Sequence, residues 1–180
     1  MTGTIVAVIT GLAFVGMAVY LVVGSRRIQY PDGISTEISV GGLSVRLIHD
    51  MTTDHVLRSE LVETTQVALR AALNEWPVGA FAKPLTGELV IHVTRDTWHG
   101  LHGYQMYAKA RIGSRRVPML VISDSDDMRR TASLIIHEMG HLLSIALLGS
   151  PDVQHADPRV WANEEMTSFE ARAMRLYDGK

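Results

Sequence analysis

Leu134-Ile135-Ile136-His137-Glu138-Met139-Gly140-His141-Leu142-Leu143-Ser144-Ile145 is the stretch from which the rest of the chain is best read. Three ionisable side chains sit inside an otherwise apolar run. Burying them without a partner would be costly. His137 and His141 are four residues apart, so on a helix their imidazoles share one face, one turn apart. Two such nitrogens can hold one zinc ion at about 2.0–2.1 Å. Glu138 lies about 100° round the helix from His137, where its carboxylate reaches a water on the ion without itself binding the ion. Gly140 leaves room for a neighbouring element to approach closely.

Upstream, Ser123-Asp124-Ser125-Asp126-Asp127 is a strong helix start. Its short polar side chains cap free N–H groups, and its acids favour the positive end of the helix dipole. The helix is expected over about 126–148, where Gly149-Ser150-Pro151 ends it. Strands are expected at Leu43–Ile48, Leu89–Thr94, Gln105–Ile112 and Val117–Ser123, from β-branched content and alternation. A helix is expected from Asp54 to about Trp76, and Asp157-Pro158 opens a last one running to about Tyr177. Residues 28–42, with Pro31, Gly33, Gly41 and Gly42, read as a linker. This order predicts one α+β domain over 43–180, with helices packed on a small mixed sheet.

The N-terminus has a different character. Ile5–Gly24 is a 20-residue run without a charge. As a helix it is about 30 Å long, the thickness of a bilayer's hydrocarbon core. No charged n-region and no Ala-x-Ala site accompany it, so a transmembrane anchor fits better than a cleaved signal. Residues 1–27 are therefore expected to form a single-pass anchor with the basic flank Arg26-Arg27, which places the domain on the cytoplasmic side. Gly11 and Gly16 do not form a GxxxG pair, so helix dimerisation has no specific support.

The composition excludes several classes. Net charge is −2, with no strongly basic patch, so nucleic acid is not an expected partner. There is no cysteine, which rules out a thiolate zinc site, a disulfide scaffold and a cysteine nucleophile. Arg111, Arg115 and Arg116 read as a solvated hairpin tip.

A catalytic zinc site needs a third protein ligand. The last helix offers Glu164, Glu165 and Glu170, and the connecting loop offers His155 and Asp157. His137-Glu138-x-x-His141 followed by Asn163-Glu164-Glu165-Met166-Thr167-Ser168 resembles the gluzincin metallopeptidases, whose Asn-Glu-x-x-Ser-Asp element lies on a helix after the active-site helix. The specific likeness covers 137–168, and element order extends it over 43–177. Leu147, six residues after His141, does not fit the metzincin pattern. The resemblance implies a zincin-like fold, Zn2+ held by His137, His141 and Glu164, Glu138 as general base, and Ser168 supporting a zinc-bound histidine. Ser168 stands where the family usually has an acid. The apolar face made by Trp161, Phe169, Ala173 and Leu176 instead puts Glu165 inward, so Glu165, Glu170 and Asp157 stay open as the third ligand.

The function so implied is peptide-bond hydrolysis by a membrane-anchored zinc peptidase. The alternative is a catalytically silent zinc-binding module acting in assembly or partner binding. His99, His102, Tyr104 and Tyr107 are candidates for stabilising an oxyanion, whereas His49, His55 and His92 read as structural. By analogy with zincins, Gln105–Ile112 is expected as an edge strand on which an extended peptide pairs.

Overall fold

Gly41 and Gly42 both adopt positive φ, 57° and 85°, the requirement of a two-residue hairpin turn that closes with the native strand twist. They join β1 (Ile34–Val40) to β2 (Leu43–His49), paired antiparallel from Ile34↔His49 to Val40↔Leu43. β1 thus occupies much of the segment expected to be a linker. Its signal was the alternation of Ser35, Glu37 and Ser39, all exposed, with the buried Ile38 and Val40.

The computed structural model describes residues 28–50, 59–75, 87–95, 102–109, 115–148 and 164–179. The expected anchor at 5–24, together with His55, His99, His155 and Asp157, lies outside the described residues, as do the side chains of Tyr107, Glu164 and Glu165. Among the described residues no helix is long and apolar enough to cross a membrane. By contacts the chain divides into Met1–Tyr30 with Ala108–Arg116, and Pro31–Tyr107 with Val117–Lys180. In the first unit Tyr30 and Arg115 are exposed. The fold described below is that of the second.

Beyond the hairpin come α1 (Ser59–Asn74), β3 (Glu88–Thr94), β4 (Gly103–Lys109), β5 (Arg116–Ser123), α2 (Met128–Leu148) and α3 (Glu164–Gly179). The five strands form one mixed sheet in the order β1-β2-β3-β5-β4. β2, β3 and β5 run parallel, with Leu47 beside Ile91 and Ile91 beside Leu120. The α+β expectation holds, and β4 is at the sheet edge as expected.

The core lies between one sheet face and the three helices. Leu43, Val45, Leu47, Leu89, Ile91, Val93, Leu120 and Ile122 project from the strands. Leu61, Ala68, Leu69 and Ala72 meet them from α1, Ala132, Ile135, Ile136, Met139 and Leu142 from α2, and Phe169, Ala173 and Tyr177 from α3. On the opposite face Ile48, Val90, Met119 and Val121 are buried too. That explains why β3 and β5 read as nearly unbroken apolar runs rather than alternating ones. Towards the ends of β2 and β3, His49 lies 3.3 Å from Asp124 and His92 lies 3.3 Å from Asp50.

Two features set the orientation of α2. Asp127 caps it, its Oδ1 accepting the backbone N–H groups of Arg129 and Arg130 at 3.0 and 3.1 Å. Its first turn is tied to the end of α3 by Arg129, which donates from Nε and Nη2 to the two carboxylate oxygens of Asp178. Arg172 of α3 reaches Glu75 after α1. These pairs add little stability; burial of Phe169, Ala173 and Tyr177 in the core sets how α3 lies on its neighbours, and hence which of its side chains faces α2.

Candidate metal centre

The apolar stripe of α2 is buried against the sheet, α1 and α3, so the positions between its members must point elsewhere. His137 and His141 sit there half-buried, their ring centroids 5.1 Å apart and nearly perpendicular at 82°. Glu138 is almost fully buried, 2% exposed. One donor atom from each of the three lies within 4.8 Å of the others, and among the described residues they form the possible metal-binding cluster.

Glu138 is the unsatisfied member of the cluster. Its Oε2 is buried and has no hydrogen-bond partner, and it lies 4.0 Å from Nε2 of His141. A buried charged oxygen left unsatisfied costs at least about 1–3 kcal/mol. A cation held between the imidazoles would supply a counter-charge to this carboxylate, so the donor set fits zinc. Without a cation, burial pushes the Glu138 carboxyl up to about 7. The nearby His137 works against that rise and the charge of Glu170 adds to it.

Glu170 enters from α3. Its Oε1 lies 2.6 Å from Nδ1 of His137, at an angle that leaves the oxygen without a well-formed hydrogen bond. Burial alone would lower the His137 pKa, but its contact with Glu170 and the charge of Glu138 outweigh that and raise it. A ring that offers Nδ1 to a carboxylate binds a metal through Nε2, with its orientation held from behind. Glu170 is therefore placed to support the His137 ring. Ser168 accepts a hydrogen bond from Arg172 at 2.6 Å. Glu164 begins α3, six residues before Glu170, so the two positions lie about 120° apart around the helix axis.

The edge strand closes the site from the other side. A Cβ on Gly103, the first residue of β4, would stand 2.7 Å from Oε1 of Glu138. Only a glycine lets the strand backbone come this close to the carboxylate. Gly103→Ala is expected to displace the Glu138 carboxylate while the domain stays folded and its metal affinity stays near that of the wild type. Loss of metal binding together with the fold would show instead that the whole site had collapsed. Of the oxyanion candidates, His102 is exposed immediately before β4 and Tyr104 is half-buried on it. Sequence reasoning did not find Gly103, because its constraint comes from a residue 35 positions away.

The class defined by fold and site is thus an α+β domain bearing on α2 an HExxH cluster that could hold a metal ion. No family model matches the chain, and no curated protein or solved structure matches it significantly.

Proposed function

We propose that this chain is a membrane-anchored zinc peptidase of gluzincin type that hydrolyses extended peptides. The observation that carries the reading is the buried, unpartnered Glu138 carboxylate set beside two imidazoles on α2. His137 and His141 hold the ion, and a carboxylate of α3 completes the set, with Glu164 as the residue nominated by the resemblance. Glu170 holds His137 in orientation. Zinc, when bound, supplies the Lewis acidity that activates water and polarises the scissile carbonyl. Glu138 takes the proton of the attacking water at Oε2 and returns it to the leaving amine. A carboxyl whose proton affinity lies near neutrality is matched to both transfers. The open edge of β4 beside Glu138 supports an extended backbone as the substrate. The apolar run at 5–24 supports the membrane anchor, and Arg26-Arg27 supports a cytoplasmic catalytic domain.

The test is the metal content of the purified full-length chain. The wild type is expected to hold about one zinc, His137→Ala none, and Glu164→Ala little or none. Glu170→Gln is expected to keep the metal with affinity lowered about 10–100-fold, the usual cost of losing an orienting carboxylate. Zinc lost in Glu170→Gln and kept in Glu164→Ala would make Glu170 the third ligand. No zinc in the folded wild type, after metal is added, would overturn the reading.

A further inference from the structure

Arg130 lies on the same stripe of α2 as the two histidines. Seven residues separate it from His137 and eleven from His141, so all three fall within about 40° around the helix axis. Its Nη2 lies 3.0 Å from Nδ1 and 3.1 Å from Nε2 of His102. The two ring nitrogens are only about 2.2 Å apart, so a group nearly equidistant from both, at this range, lies over the ring face rather than in its plane. Nη2 of Arg130 thus sits over the imidazole of His102, a contact that a planar guanidinium favours. His102 directly precedes Gly103, which abuts the Glu138 carboxylate. The contact therefore holds a positive charge at the start of the open edge strand, one residue from the strand's contact with Glu138.

The charge balance of Arg130 differs from that of its neighbours. Arg129 is neutralised by Asp178, and Arg172 reaches Glu75. The carboxylate of Asp127 is engaged as the cap of α2. Among the described residues Arg130 has no carboxylate partner, and both it and His102 are exposed. A guanidinium presents several donors in a fork that matches a carboxylate bidentately.

We propose that Arg130, positioned by His102, is a specificity-determining residue that binds a substrate carboxylate close to the scissile bond. This rests on the peptidase reading above. Arg130 is about 10.5 Å along the helix from His137, and an extended peptide advances about 3.3 Å per residue. The acidic group therefore lies within about three residues of the cleaved bond.

The zinc-loaded full-length chain would be given a complex peptide mixture, and its cleavage sites read by mass spectrometry. The wild type is expected to cut where Asp or Glu lies within three residues on one side of the bond. Arg130→Gln is expected to lower the ratio of acidic to matched neutral cleavage about tenfold, and Arg130→Glu to shift the preference to Lys and Arg. Zinc-dependent cleavage without an acidic preference, or with one unchanged in Arg130→Gln, would overturn the subsite and leave the peptidase standing. A zinc-loaded chain that cleaves nothing would overturn both.

Discussion

Glu138→Gln is expected to lower peptide hydrolysis by about 10²–10⁴-fold while the chain still holds about one zinc. General acid–base catalysis contributes a factor of that order. Gln keeps the volume and the hydrogen-bonding capacity of Glu but cannot take up a proton. The side chain is 2% exposed and walled by Gly103, so no bulk water stands in easily for the lost base. The same change removes a buried carboxylate whose Oε2 has no partner, so the metal-free variant should be more stable than the wild type at neutral pH. Rate lost, metal kept and stability gained form a combination that a merely structural Glu138 would not produce. An active Glu138→Gln would remove the residue from the mechanism, and a zinc-free one would make it a ligand.

The second large effect is the pH dependence of the metal-free protein. Burial raises the Glu138 carboxyl from 4.5 to about 7 in the folded state. Above pH 4.5 the unfolded chain releases this proton while the folded chain resists. Folding therefore loses stability from about pH 4.5 to about 7, by roughly 3 kcal/mol in total. The His137 pKa is raised in the folded state, so His137 contributes stability below about pH 6.5 that is lost as pH climbs through its folded value. Both groups act in the same direction: the metal-free chain should melt several degrees lower at pH 8 than at pH 5. Zinc reverses the trend. It requires neutral imidazoles and brings a counter-charge to Glu138, so its stabilisation grows with pH, reaching about 4 kcal/mol at a thousandfold excess over Kd. Calorimetry with and without chelator at the two pH values measures both slopes. A metal-free melting temperature that does not fall with pH, together with no shift on adding zinc, would remove the site.

What was legible in the chain was local. His137, Glu138 and His141 are brought together by helical spacing alone, so a four-residue interval was enough to place them on one face of α2. The cap at Asp127 and the strands β2, β3 and β5 also follow from neighbouring residues. β1 was legible in the same way, in its alternation and in the Gly41-Gly42 turn, although the glycines first suggested a linker. What the sequence could not decide depends on how separate elements slide against each other. Glu170 stands beside His137 because Phe169, Ala173 and Tyr177 pack α3 into the core in one position, and periodicity does not show what that position meets. The constraint on Gly103 arises from a strand backbone pressed onto a carboxylate on another element, and the Arg130–His102 contact joins residues 28 positions apart. A helix repeat determines which residues share a face. Only packing between elements determines what that face meets.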